Sequence, residues 1–321
     1  MAHYQFAFPV YNATMEDDLS EFQVADVRFV DQSSIPNDFL SSREDLLRLK
    51  KNQIFAVVDV YDNEMNVKET AFDRCCFAAD IFKICTDLFH SNYFNPKKWQ
   101  FDIKTDYVTQ GSSFFLFKEF GSNNFDSLRL TLHRNRFDTC VNTKLWESRT
   151  TWNIKDFESL YQAVYSPNVK SIHKVLKRAC HLYSHSFSID NLYERTVLLC
   201  AVLDTLATCE RNGKISQLKK HLPRLVLKCE KLNENLKTFI EQVYDIRSAY
   251  VHNAEESGLT ERDVDILEKI VYRVILQIIR NSDNYTSIKE LCVAIDNNKF
   301  VPILDNLPEI SVPPCISSRK K

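Results

Sequence analysis

Glycine is nearly absent, with four residues in a chain of 321. Loops that cradle phosphates need closely spaced glycines, and neither GxxxxGK(S/T) nor GxGxxG occurs, which excludes the common nucleotide-binding loops. An excess of either charge is also missing. Lys and Arg total 41 against 43 Asp and Glu, a net charge of −2, so any nucleic-acid surface must be a local patch. No run of eighteen apolar residues is present to span a bilayer. The N-terminal MAHYQFAFPVYNATMEDD has no basic stretch followed by an apolar core, so it does not read as a secretory signal. Ten cysteines are scattered without a single CxxC, several of them inside apolar helical runs. That usage predicts reduced, mostly buried thiols of a cytoplasmic protein. HExxH is absent, and the i,i+4 pair His181 and His185 has no evident third ligand, so neither a metal nor a cofactor is expected.

Apolar residues are plentiful, at 44% with 12% aromatic, enough for two packed cores. The first half reads as strands: 4–12, 21–31, Ile54 to Tyr61, and then about 99–108, 113–120 and 127–137. A short helix is expected over 43–51 and a longer one over Thr70 to Phe89, with Ala71, Phe72, Phe77, Ile81, Ile84, Cys85 and Leu88 on its apolar side. Residues 1–150 are thus expected to form a mixed α/β domain with a mainly antiparallel sheet. A connecting helix and linker is expected over 151–168, where SPN at 166–168 punctuates the chain.

Beyond this point the pattern is one of long helices: Ser171 to Phe187, Asp190 to Cys209, Asn235 to His252, Thr260 to Asn281, and a short one over 286–296. The second, with its VLLCAVLDTLA core, is apolar nearly all round and reads as the central helix of a bundle. Thr260 followed by Asp263 is a start signal like a capping box. Residues 169–298 are expected to be an all-α bundle, and 299–321, with four prolines, an irregular tail. The fold class is therefore α+β.

The chemistry concentrates in FIEQVYDIRSAYVHN, Phe239 to Asn253. On a helix, Leu236, Ile240, Val243, Arg247 and Tyr250 share one stripe. A guanidinium on an apolar line needs a partner, because an unpaired buried charge is costly. His252 follows five residues later, Ser248 lies one turn before it at i,i+4, and Asn253 ends the helix near Gly258. The exposed carbonyls there favour a positive charge. Histidine can give or take a proton near neutral pH.

This Arg-x4-His spacing, with Ser248 directly after the arginine, resembles the HEPN superfamily, and YDIRSAYVHN is similar to its Apea-like branch. The resemblance covers about residues 166–300. It implies a HEPN helical bundle and metal-independent cleavage of RNA in a cytoplasmic defence or abortive-infection effector. Arg247 and His252 would be catalytic and Ser248 would bond the imidazole or a phosphate oxygen, with Glu194, Asp204 and Asn253 in support. Residues five apart on a helix differ by roughly 140° in azimuth, so one chain does not bring both groups to one phosphate. Family members are similar in solving this by dimerising, which implies a homodimer with the site at its interface. The N-terminal domain would take a trigger ligand or protein, or choose the substrate. HEPN toxins governed by a nucleotidyltransferase tend to have a tyrosine two residues past the histidine; here Ala254 stands there, which argues against that mode of control.

Several readings stay open. Arg247 could pair with Asp204 or Glu194 while His252 merely caps the helix, and Glu194 could be no more than a helix N-terminal acid. The run 214–231, with Lys214, Lys219, Lys220, Arg224 and Lys228, could track an RNA backbone or be a solvated face. The alternative to a nuclease is a non-catalytic binding or dimerisation module on the same bundle.

Overall fold

The computed structural model describes residues 2–35, 52–62, 66–90, 102–103, 116–119, 139–148, 153–210, 212–227, 233–303, 305, 310–313 and 316. The chain divides into two compact units, Met1–Ile154 and Lys155–Lys321.

The first unit is built on β1 (Ala2–Met15), which pairs antiparallel with β4 (Gln53–Asp62) in the register Tyr4↔Val60, Phe6↔Val58, Phe8↔Ala56. The hairpin β2 (Glu21–Val24) and β3 (Val27–Asp31) extends the sheet beyond β4. Antiparallel β5 (Asp102–Ile103) and β6 (Leu116–Glu119) and parallel β7 (Thr139–Val141) also pair with β1. The strand expected over 21–31 is broken in two by a tight turn at Ala25–Asp26. Ala25 takes φ 52°, a left-handed conformation usually marked by glycine in such turns. With alanine there, the sequence carries no turn signal. The strand expected over 127–137 and the helix expected over 43–51 lie outside the described residues.

The amphipathic helix α1 (Val67–His90) covers the sheet face carrying Phe8, Phe22 and Phe29. Its Phe72 meets Phe8 edge-on at 5.6 Å, and its Phe82 stacks on Phe22 at 4.7 Å. Trp146 of the short α2 (Thr143–Ser148) closes over Phe22 at 4.8 Å. The period-2 pattern of the strands and the 3.6 period of α1 thus build one aromatic core.

The second unit is all-helical: α3 (Ile154–Val164), α4 (Ser171–Ser186), α5 (Leu192–Ala207), α6 (Lys214–Val226), α7 (Asn233–Asn253), α8 (Glu261–Asn281) and α9 (Ile288–Asp296). The sequence pattern makes α5 the central helix, but α8 holds that position. Nearly every residue from Asp263 to Asn281 is buried, including Arg273 and Gln277. The polar side chains on α8 hid this, because each is satisfied inside. Glu268 takes Arg195 of α5 in a buried ion pair, and Arg273 donates to the Val226 carbonyl at 2.6 Å. Thr260 and Asp263 form the expected capping box at its start.

Two segments expected to lie apart from the bundle pack into it. On α3, Phe157 stacks on Tyr272 at 6.0 Å and Asp156 accepts from Arg280 at 3.1 Å. The tail after α9 is irregular as expected, yet Phe300, Val312 and Ile316 are buried. It is held by Gln277 to Ile303 N–H at 3.0 Å, and along α7 by Asn235 to the Val312 carbonyl at 3.3 Å and Gln242 to Ile316 N–H at 2.8 Å. No helix among the described residues is long and apolar enough to cross a membrane.

One buried group makes the second unit pH-sensitive. His173 is 4% exposed; its Nδ1 accepts from Lys170 N–H at 3.3 Å, and its Nε2 meets no partner. Burial, and then the positive Lys170, hold its pKa below the ordinary histidine value. The unfolded chain therefore binds the proton more readily than the native one. Stability is complete above about pH 6.5 and declines as pH falls through that value. His173→Gln keeps an acceptor for the Lys170 N–H and removes the titration. Denaturant unfolding between pH 7 and 5 should show a shallower loss of stability in that variant than in the parent.

Candidate functional site

Helix α7 carries the Arg-x4-His segment. Leu236, Phe239, Ile240, Val243, Tyr244 and Ile246 are buried, each contributing roughly 2 kcal/mol through burial, and they fix which side of the helix faces inward. Tyr244 donates to Asp204 Oδ1 at 2.8 Å and to the Cys200 carbonyl at 3.1 Å, joining α7 to α5. Lys214 Nζ, from the start of α6, reaches Asp204 Oδ2 at 3.0 Å, and the Thr208 hydroxyl donates to the Asp204 carbonyl at 2.7 Å. Burial is the main reason the Tyr244 hydroxyl and the Cys200 thiol are both pushed well up; the Asp204 carboxylate adds to it and the Arg247 guanidinium opposes it. Arg247 thus lies within electrostatic reach of this knot.

It is not tied into it. Asp204 is engaged by Tyr244 and Lys214, and Glu194 is exposed at the first turn of α5, where its N–H donates to Asn191 Oδ1 at 3.1 Å. Arg247 is partly buried, makes no hydrogen bond or ion pair among the described residues, and its Nε is fully covered without an acceptor. The expected pairing of Arg247 with Asp204 or Glu194 does not form. The physical reason is that Tyr244, one turn earlier on the same face, reaches Asp204 first, and Lys214 occupies its other oxygen.

His252, Ser248 and Asn253 are exposed on the last turn of α7. No hydrogen bond joins Ser248 to His252, although the i,i+4 spacing places them on one face. The helix is unbroken from Asn233 to Asn253, so Arg247 and His252 point to different azimuths, as the spacing requires. The end of α7 is pinned to the start of α5. Tyr250 stacks on Tyr193 at 5.4 Å, and Asn191 Nδ2 donates to Glu256 at 2.9 Å. Burial and the nearby Glu194 and Glu256 raise the Tyr250 pKa. Neither Tyr193, Tyr244 nor Lys214's contact with Asp204 was legible as part of this site in the sequence. Only Tyr244, three residues before Arg247 on the same face, carried any signal.

The basic run 214–231 contains a helix that sequence reasoning missed, because Pro223 stands inside it. Of its cations, Lys214 pairs with Asp204, Lys219 with Glu241 at 2.9 Å, and Lys220 with Asp296. Arg224 is exposed, and Lys228 lies outside the described residues. Three of the five expected RNA contacts are therefore already neutralised by carboxylates within the unit. Among the described residues, no cluster of three His, Cys, Asp or Glu side chains is placed to hold a metal ion.

Comparison of the chain with protein-family models, with curated proteins and with solved structures gave no match. The site must therefore be interpreted from its own geometry.

That geometry makes two stability predictions. Ala254, which closes α7 with its N–H on the Tyr250 carbonyl at 2.9 Å, sits at φ 53°. Glycine adopts this cap conformation without the Cβ penalty of roughly 1 kcal/mol, so Ala254→Gly should stabilise the protein by about that amount in equilibrium unfolding. Arg247→Met removes a partly buried charge that nothing compensates. It should leave the melting temperature unchanged or raise it, whereas a structural guanidinium would lower it by several degrees.

Proposed function

We propose that the second unit is a metal-independent endoribonuclease of the HEPN type, working in the cytoplasm as a homodimer. The observation that carries this reading is the Arg247 guanidinium, partly buried and unmatched by any carboxylate, on the same helix as an exposed histidine. A folded protein tolerates an uncompensated cation where an anionic ligand supplies the missing charge. Guanidinium geometry matches phosphate.

The chemistry follows from the substrate. RNA carries its own nucleophile in the 2′-hydroxyl. His252 takes the proton from that hydroxyl, or delivers one to the departing 5′-oxygen. Arg247 stabilises the extra charge that develops on the phosphorus oxygens. The two groups diverge on one helix, so the reaction centre takes both from two copies of α7 set against each other. Ser248, exposed between them in sequence, is available to a phosphate oxygen or to the imidazole of the facing copy; Asn253 and Glu194 line the same end. Asp204 does not hold Arg247 directly. Through Tyr244 it orients the helix that bears the arginine. The first unit senses a trigger ligand or protein, or selects the RNA, and the whole acts as a defence effector of the abortive-infection kind.

A second reading has one observation in its favour. The neutralised lysines of α6 leave little positive field beside the motif, as suits a non-catalytic dimerisation or binding module. Incubating purified protein with mixed RNA in the presence of a chelator separates the two. The nuclease produces 2′,3′-cyclic phosphate ends, and either Arg247→Ala or His252→Ala lowers the rate by at least about a hundredfold while the fold is retained. Intact RNA from folded wild type, together with equal cellular toxicity of wild type and His252→Ala, favours the binding module.

A further inference from the structure

The sequence pattern treats the cysteines as buried packing. Cys209 departs from this: it is exposed, in the loop that follows α5, while Cys292 is buried on α9. The two thiols are in side-chain hydrogen-bond contact. We propose that Cys209 and Cys292 form a reversible disulfide that cross-links the end of α5 to α9 when the protein meets a peroxide. The inference is independent of the ribonuclease reading.

The surroundings hold the sulfurs in place from both sides. Gln217 of α6 accepts from Cys209 N–H at 2.9 Å, from the Cys209 thiol at 3.7 Å and from Glu210 N–H at 3.2 Å, and its amide donates to the Asn212 carbonyl at 3.1 Å. This organises the loop around one side chain. One helical turn along α6, the buried His221 bridges the Ala207 carbonyl at 2.7 Å and Asp296 at 3.0 Å. Ala207 lies two residues before Cys209 and Asp296 one turn beyond Cys292, so the two strands of chain that carry the thiols are clamped together beside them. Sulfurs in hydrogen-bond contact stand roughly 2 Å beyond the covalent S–S length, a gap that a loop residue such as Cys209 can close.

The roles of the two thiols follow from exposure. Burial first, and then the neighbouring Cys209, push the Cys292 pKa up to about 12, so Cys209 is the thiol that meets the oxidant. Its sulfur attacks one peroxide oxygen; the O–O bond breaks, giving a sulfenic acid and one water. The Cys292 sulfur then attacks the Cys209 sulfur. The S–S bond forms, the S–O bond breaks, and the hydroxide leaves as a second water with the Cys292 proton. Each sulfur loses one electron and the peroxide is reduced to two waters. Conversion of Cys209 to the uncharged sulfenic acid also removes the like-charge opposition to ionising Cys292.

The full chain is treated with a small excess of hydrogen peroxide, remaining thiols are alkylated, and the protein is digested for mass spectrometry with and without reductant. The expected result is a Cys209–Cys292 linked peptide pair that dithiothreitol releases, absent from Cys209→Ser and Cys292→Ser. A rise in melting temperature of about 5 °C should accompany it and be lost in both variants. Cys209→Ser alters only an exposed side chain, so its fold serves as the control. Recovery of Cys209 as a sulfenic or sulfinic acid, or in a disulfide between two chains, with Cys292 still open to alkylation after unfolding, overturns the proposal. So does recovery of both thiols unreacted.

Discussion

Cations drawn into the second unit must be matched, and the bundle is organised around that requirement. Moving a guanidinium out of water costs several kcal/mol unless acceptors replace the solvent. Arg195 meets Glu268, Arg273 meets the Val226 carbonyl, and Arg280 meets Asp156 and the Asp305 carbonyl. These contacts join α5 to α8, α8 to the end of α6, and α8 to both α3 and the tail. The central helix is thereby fixed in rotation by polar contacts as well as by its apolar faces. Arg247 stands against this background as a partly buried guanidinium without an acceptor. Its helix is otherwise well seated, so the mismatch is a property of the side chain and not of a loosely packed region.

The same helix shows how rigidity and availability are reconciled. The inner face of α7 is anchored by six buried side chains, by Tyr244 on Asp204, and by the Tyr193–Tyr250 stack near its end. Its last turn then stands clear, with Ser248, His252 and Asn253 exposed. A proton-transfer group is useful only if it can reach substrate, and a phosphate-binding group only if its position is held. Division of those demands between the outer and inner faces of one helix explains why the two side chains diverge. It is also why two copies of the helix are needed to bring them to one phosphate.

Much of the fold was legible. Helix boundaries in the second unit came within about two residues for α4, α5, α7, α8 and α9, because long apolar stripes, a capping box at Thr260 and Asn191 at an N-cap are local signals. Errors arose where the local signal was missing or misleading. Pro223 hid α6, since proline normally ends a helix. Ala25 hid a hairpin that glycine would have announced. The polar residues of α8 disguised the most buried helix as amphipathic, because composition cannot tell a charge facing solvent from one that finds its partner inside.

The candidate site divides along the same line. The residue types and their spacing, Arg247 with His252 five places on and Ser248 beside the arginine, depend only on chain order and the 3.6-residue turn, so the sequence determined them by itself. It likewise determined that the two groups could not converge within one helix. Which carboxylate met which cation was decided by the tertiary structure alone. Asp204 lay equally open to Arg247, Lys214 and Tyr244 until the packing of α5, α6 and α7 set the distances, and hydrogen bonds form or fail over less than 1 Å. Contacts between residues forty positions apart, such as Asp204 and Tyr244, arise from helices docking in three dimensions, and no local pattern in the chain records them.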